Sequence, residues 1–162
     1  MRALLQRGET RDEPVALGAL VEHVVDLLRS EAIGRGVGVV TAGIERSAAP
    51  MRGDPIQLTQ VLLNLLMNAI EAASRAPAGR REVTVALTTT DDGVEVSVRD
   101  TGPGLATRDP EELFAPVVSG RPDGLGMGLA IARSSVEEPD GRIWGADHPD
   151  GGAVFRARFP RA

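Results

Sequence analysis

The stretch of sequence that decides the fold is Asp54–Ala73, which reads DPIQLTQVLLNLLMNAIEAA. Asp54 is a good helix N-cap and Pro55 suits the first helical position, so a helix is expected to begin here and to continue to about Arg75. Because successive helical residues are about 100° apart, the polar residues of this stretch share one narrow arc. They are Gln57, Gln60, Asn64, Asn68, Glu71 and Arg75. The pattern predicts a largely buried helix with a single polar stripe.

The middle of this stripe is made of amides, whereas a solvated helix face usually carries long charged side chains. A plain solvated stripe is one interpretation. The other is a ligand site, because an Asn carbonyl is a hard oxygen ligand for Mg²⁺ and leaves the charge of the metal free to neutralise phosphates. Asn64 and Asn68 are the amides at the middle of the stripe, and both are candidate catalytic residues.

A second candidate site is Asp100-Thr-Gly-Pro-Gly104, which follows an alternating strand pattern. By period-two parity Asp100 shares the inward face of Val96 and Val98, where a carboxylate needs a hydrogen-bond donor such as an adenine amino group. Gly102 and Gly104 would let the backbone approach the base closely. The alternative is an ordinary turn, in which the Asp100 carboxylate accepts a hydrogen bond from its own backbone.

A third candidate is a glycine-rich run that directly precedes a predicted helix, where free backbone N–H groups favour phosphate binding. It consists of Gly124, Leu125, Gly126, Met127, Gly128 and Leu129. A dinucleotide-binding fingerprint is rejected, because the glycine spacing differs and no strand precedes the run.

The remaining patterns predict further helices at 17–33 and 125–137, strands at 37–41, 82–90, 94–98, 142–146 and 153–159, and a long loop at 105–123. Helices and strands mix without strict βαβ alternation. We therefore expect an α+β fold with two layers, in which helices cover one face of a mixed, mostly antiparallel sheet.

Composition narrows the possible functions. The 162 residues fit one domain. The chain has 18 basic residues, all of them Arg, and 23 acidic residues. Without lysine a Walker-type phosphate loop is excluded, and without cysteine so are disulfides and thiolate metal clusters. No long apolar run, signal peptide or basic block is present, so we expect a cytoplasmic protein, or the cytoplasmic part of a larger membrane-associated one, with no nucleic-acid or direct membrane contact.

Taken in order, the three candidate sites resemble the N, G1 and G2 boxes of the ATP-binding domain of bacterial sensor histidine kinases, in the superfamily of gyrase, the Hsp90 chaperones and MutL. Gln60–Ala69 resembles the N box, Asp100–Gly104 the G1 box and Gly124–Ile131 the G2 box, while Leu113–Pro116 resembles the F box. Residues 142–160 resemble the last hairpin of that domain. Within the family, the chain is most similar to the nitrogen-regulation and oxygen-sensing branch.

This resemblance implies the two-layer Bergerat fold and a bound Mg-ATP. Asn68 would bind Mg²⁺, and Asp100 would accept from the adenine amino group. Asn64, Glu71, Gly102 and Gly104 would complete this side of the site. On the opposite side, the loop at 105–123 would form a mobile lid ordered by Phe114, Arg121 or Arg75 would contact phosphate, and the backbone of Gly124–Leu129 would bind the phosphates.

The resemblance also implies a missing phosphoacceptor histidine. His23 and His148 lack the surroundings of the family's acceptor, so the acceptor is expected on a separate dimerisation domain, with residues 1–12 as the tail of its helix and 13–162 as the ATP-binding domain. A response regulator receiver domain would be the next partner. Two alternatives stay open, a non-catalytic nucleotide-binding module and an anti-sigma-type serine kinase.

Overall fold

A computed structural model describes residues 12–44, 51–91, 93–105 and 141–160. In chain order the elements are β1 (Glu13–Val15), α1 (Leu17–Leu27), α2 (Arg29–Gly34), β2 (Gly38–Ala42), β3 (Met51–Gly53), α3 (Pro55–Ala73), β4 (Glu82–Thr89), β5 (Gly93–Asp100), β6 (Arg142–Asp147) and β7 (Ala153–Pro160). Five of these strands form one sheet in the order β2-β4-β5-β7-β6. β2 runs parallel to β4, and the other three pairs are antiparallel. The expected mixed, mostly antiparallel sheet is therefore confirmed.

Helix α3 begins as the sequence predicts, because the Asp54 carboxylate accepts a hydrogen bond from the N–H of Ile56 and Pro55 occupies the first turn. Its apolar arc is buried and packs on the sheet. The buried residues are Leu58, Val61, Leu62, Leu65, Leu66, Ala69, Ile70 and Ala73. Opposite them, β5 alternates from Val94 onward and buries Val94, Val96 and Val98. The core thus fixes the position of α3 over the centre of the sheet.

The prediction of one helix over 17–33 is wrong, because the chain forms two helices separated by Leu28. Leu28 has φ −98° and ψ 4°, outside helical geometry. The apolar spacing from Val21 through Val25 to Ala32 continues across this break, so periodicity alone does not reveal it. After α2 the chain reverses at Gly36, whose φ of +69° favours glycine.

A two-stranded antiparallel sheet of β1 and β3 was not predicted. Each strand has only three residues, too few for a period-two pattern to be recognised. The pairing holds the beginning of the described chain beside the start of α3, and Arg52 donates a hydrogen bond of 2.6 Å to the backbone carbonyl of Asp12.

Several predictions concern residues outside the described ranges. These are the helix tail at 1–11, most of the loop at 105–123 and the helix at 125–137. Within the described ranges, no helix combines the length and apolar character needed to span a bilayer.

Candidate functional site

The site is built around Asp100, the last residue of β5. Strand parity turns its side chain inward beside Val98, as predicted, and only 1% of the residue is exposed. It is the one buried charged residue among the described parts of the chain. A carboxylate in this position is costly unless hydrogen-bond donors surround it.

The two carboxylate oxygens of Asp100 have different environments. Oδ1 accepts hydrogen bonds from the N–H of Gly102 at 2.8 Å and from the N–H of Ala153 at 3.4 Å. Oδ2 is buried and accepts no hydrogen bond within the described structure. The turn that the sequence offered as an alternative is therefore present, but it occupies only Oδ1 and leaves a second acceptor for a ligand.

Burial raises the pKa of Asp100 above its ordinary value, because desolvation disfavours the charged carboxylate. The two backbone N–H groups and the positive charges of Arg99 and Arg75 lower the pKa, without cancelling the effect of burial. A ligand that donates a hydrogen bond to Oδ2 would further stabilise the ionised form. The electrostatics therefore favour a ligand with an N–H donor at this position.

The loop after Asp100 packs directly against the end of α3. A Cβ placed on Gly102 would lie 2.4 Å from the carbonyl oxygen of Ala72, so only glycine allows this approach. Thr101 ties the same loop to β4, because its N–H donates to the carbonyl of Glu82 and its Oγ1 accepts from the N–H of Glu82. Gly102 thus brings backbone close to α3, a role that the sequence did not suggest. Its predicted contact with a base stays a prediction.

Asp147, at the end of β6, holds the far end of this loop and was not singled out from the sequence. Its Oδ1 accepts a hydrogen bond from the N–H of Leu105 at 2.6 Å. Gly104 has a φ of +82°, and a Cβ there would lie 2.7 Å from the same oxygen. An Asp before a Pro-Asp-Gly-Gly turn suggests only turn chemistry, so the long-range contact was not visible in the sequence.

The predicted polar stripe of α3 is confirmed as the face of the helix that stays partly accessible. Asn64, Asn68 and Glu71 are each of intermediate burial. Glu71 forms an ion pair of 3.4 Å with Arg75, one turn later. The charge of Arg75 also lowers the pKa of Asp100, which indicates that the C-terminal end of the stripe lies near the loop after Asp100. The structure thus brings Glu71, Arg75, Asp100 and Gly102 to one region, and Asn68 lies one turn earlier on the same face of α3.

These groups fit an adenine nucleotide with its cation. The buried acceptor Oδ2 matches an exocyclic amino group, and the amides of α3 are suitable oxygen ligands for Mg²⁺. No group of three acidic or histidine side chains suited to a metal occurs within the described residues.

Other predicted site residues lie outside the described ranges. They are Phe114, Arg121, Gly124, Leu125, Gly126, Met127, Gly128 and Leu129. Of the two histidines, His23 is exposed on α1. His148 lies in the β6–β7 turn, where its Nδ1 accepts a hydrogen bond from the N–H of Asp150.

Comparison with known proteins agrees with this geometry. The family model described as histidine kinase-, DNA gyrase B- and HSP90-like ATPase matches residues 53–162. The sensor histidine kinase TmoS of Ectopseudomonas mendocina is 34% identical over 99% of this chain and 16% of its own length. The sensor protein FixL of Bradyrhizobium diazoefficiens is 34% identical over 100% of this chain and 32% of its own. The chain thus spans a third or less of these curated relatives.

Solved structures give the same result. The catalytic domain of the histidine kinase ThkA superposes with a TM-score of 0.81 at 25% identity, covering 93% of this chain and 95% of that one. Full-length ShkA in complex with AMPPNP superposes with a TM-score of 0.78 at 28% identity, covering 93% of this chain and 31% of ShkA. The expected fold class is confirmed, and the chain belongs to the ATPase family shared by histidine kinases, DNA gyrase B and Hsp90.

Proposed function

We propose that this chain binds Mg-ATP and transfers the γ-phosphate to a histidine on a separate dimerisation domain, as part of a two-component signalling system. The observation that carries the proposal is the buried Oδ2 of Asp100, which lacks a hydrogen-bond donor within the described structure and lies beside the polar stripe of α3. Membership of the ATPase family supports ATP as the ligand.

The adenine would bind at the end of β5. Asp100 would accept a hydrogen bond from the exocyclic amino group through Oδ2, while Oδ1 stays bonded to Gly102 and Ala153. Because the loop is fixed by Thr101 and Asp147 at its two ends, this acceptor is held in place before the nucleotide arrives. Such preorganisation reduces the entropy lost on binding.

The phosphates would lie along α3. The Asn68 carbonyl would bind Mg²⁺, which when bound neutralises phosphate charge, and Asn64 would contact the same region. Glu71, through its ion pair with Arg75, would hold the adjacent end of the stripe. The other side of the site would be formed by Phe114, Arg121 and the backbone of Gly124–Leu129.

Phosphotransfer is favoured over hydrolysis by the residue at position 64. An amide cannot take a proton from water, so Asn64 cannot serve as the general base of a dedicated ATPase. We therefore expect slow intrinsic hydrolysis and efficient transfer only when an acceptor imidazole is positioned by another domain. A receiver domain of a response regulator would then accept the phosphoryl group, and the reaction would take place in the cytoplasm.

The proposal is tested by incubating this chain with ATP labelled on its γ-phosphate, with and without the dimerisation domain of its own full-length protein. We expect label on the histidine of the added domain and none on this chain. Asn68→Ala should abolish the transfer, whereas Ile56→Ala, an exposed position on the same helix outside the polar stripe, should preserve it. Label on this chain alone, or equal transfer by both variants, would contradict the proposal.

A further inference from the structure

The outer face of the sheet, opposite the helices, carries a cluster of arginines of which only Arg99 affects the nucleotide site, through its charge near Asp100. On β5, β7 and β6, the side chains that alternate with the buried ones point to this face. We name as the arginine face the group formed by Arg99, Arg142, Arg156, Arg158, Trp144 and Glu95. Its residues come from three strands that are contiguous in the sheet.

Charge on this face is unbalanced. Among the described residues this face holds four guanidinium groups and one carboxylate, an excess of three positive charges, whereas the whole chain carries a net charge of −5. Arg142 and Arg158 lie directly opposite each other on β6 and β7, a like-charge cross-strand pair that opposes folding. The neighbouring strand β4 turns uncharged side chains to the same face, namely Thr84, Ala86 and Thr88. Its only charged residue on this face is Glu82, the first residue of the strand.

The arginines are held in place by Trp144 and Glu95. The guanidinium carbons of Arg142 and Arg158 lie 4.9 and 5.7 Å from the centre of the Trp144 ring. Glu95 forms ion pairs of 3.4 Å with Arg156 and 3.2 Å with Arg158. Because each guanidinium has five N–H donors, these contacts orient the arginines and leave other donors without a protein partner in the described structure. Among them, the Nε atoms of Arg99 and Arg158 are buried without a hydrogen-bond partner in the described structure.

We propose that the arginine face is a docking surface for a carboxylate-rich segment of a partner protein. Planar guanidinium groups bind carboxylates through two parallel hydrogen bonds, and the partner's acids would relieve the repulsion between Arg142 and Arg158. The face covers about 13 Å along the strands and about 10 Å across them, which a few acidic residues can span. This surface is separate from the nucleotide site, so the proposal does not depend on the function proposed above.

A nucleic acid is a poorer match for this face. Typical protein–DNA complexes neutralise about 6–10 phosphates, whereas this face offers four arginines on a chain that is acidic as a whole. A discrete acidic protein segment requires fewer contacts. Trp144 also lies on this face, where its ring contacts two of the arginines and adds apolar area beside them.

The proposal can be tested by the fluorescence of Trp144, the only tryptophan of the chain. A hexaglutamate peptide is titrated into the protein at low salt, and a hexaglutamine peptide serves as the uncharged control. We expect a saturable change in fluorescence with hexaglutamate alone, which weakens as salt is raised.

Two matched double variants give the decisive comparison. Arg142→Gln with Arg158→Gln should weaken hexaglutamate binding about tenfold or more, since two charged contacts are lost. Arg29→Gln with Arg35→Gln removes two other ion-paired arginines, outside this face, and should leave binding unchanged. If the first double variant does not fold, the single variant Arg142→Gln serves for the same comparison.

Three results would overturn the proposal: no saturable binding of hexaglutamate, an equal effect of the two double variants, or tighter binding of a single-stranded oligonucleotide or an anionic lipid vesicle through these arginines.

Discussion

Replacing Asp100 by Asn converts one hydrogen-bond acceptor of the site into a donor. The N–H groups of Gly102 and Ala153 both donate to Oδ1, so the amide oxygen of Asn must take that position. The amide nitrogen then occupies the place of Oδ2, the buried atom without a partner. The shape of the site is preserved, but an N–H group now faces the amino group of adenine.

The magnitude follows from the hydrogen bond that is lost. A hydrogen bond to a charged group contributes about 1.5–3 kcal/mol, so Asp100→Asn should weaken ATP binding by about 10- to 150-fold. Inosine triphosphate carries an oxygen acceptor where ATP carries the amino group, and the new N–H of the variant can donate to it. The ratio of the dissociation constants of ATP and inosine triphosphate should therefore change by about 100-fold or more between native protein and variant.

Isothermal titration calorimetry with both nucleotides and both proteins gives this double ratio directly. Differences elsewhere in the two purines affect native protein and variant alike, so they cancel in the comparison. Chemical unfolding of the variant checks that it folds. An unchanged preference for ATP over inosine triphosphate in a folded Asp100→Asn variant would refute the position assigned to the adenine amino group.

Three further predictions follow from the same region. Gly102→Ala should destabilise the fold by about 1–3 kcal/mol through overlap with Ala72, whereas Gly34→Ala, whose Cβ meets nothing within 4 Å, should be neutral or stabilising; urea unfolding of both variants tests this. Asp147→Ala should weaken ATP binding, because the N–H of Leu105 loses its hydrogen-bond acceptor. Hydrogen exchange at the amide of Leu105 should become faster in this variant. Unchanged exchange and unchanged ATP affinity would contradict this prediction. Burial raises the pKa of Asp100 in the folded state. The contribution of this residue to the free energy of unfolding is therefore full at pH values below its ordinary pKa of 3.8, and it is lost as pH rises through the pKa of the folded state. Asp100→Asn should gain stability relative to native protein over that rise in pH. If the free energies of unfolding of the two proteins change by the same amount across this pH range, the reasoning is wrong.

Much of this architecture could be predicted from the sequence, because its strongest signals are local and periodic. Asp54 and Pro55 predicted the start of α3, its amphipathic pattern predicted its buried residues and polar stripe, and the alternation of β5 predicted the inward direction of Asp100. Both signals repeat over many residues, so single exceptions do not obscure them.

The features that were missed depend on contacts between distant parts of the chain. The break at Leu28 keeps the apolar spacing intact, and the strands β1 and β3 are too short to show alternation. The contact of Asp147 with Leu105 joins residues 42 positions apart, and no local pattern encodes it. In the same way, Asp100 satisfies one oxygen by a turn and leaves the other for a ligand, whereas the sequence presented these as alternatives.

The central claim is that Asp100 and the amides of α3 bind one nucleotide. A crystal structure of this chain with Mg²⁺ and a nonhydrolysable ATP analogue tests it most directly. We predict the adenine amino group at about 3 Å from Oδ2 of Asp100 and the carbonyl oxygen of Asn68 at about 2.1 Å from the metal. An adenine bound elsewhere, with Oδ2 and Asn68 facing different regions, would contradict the account.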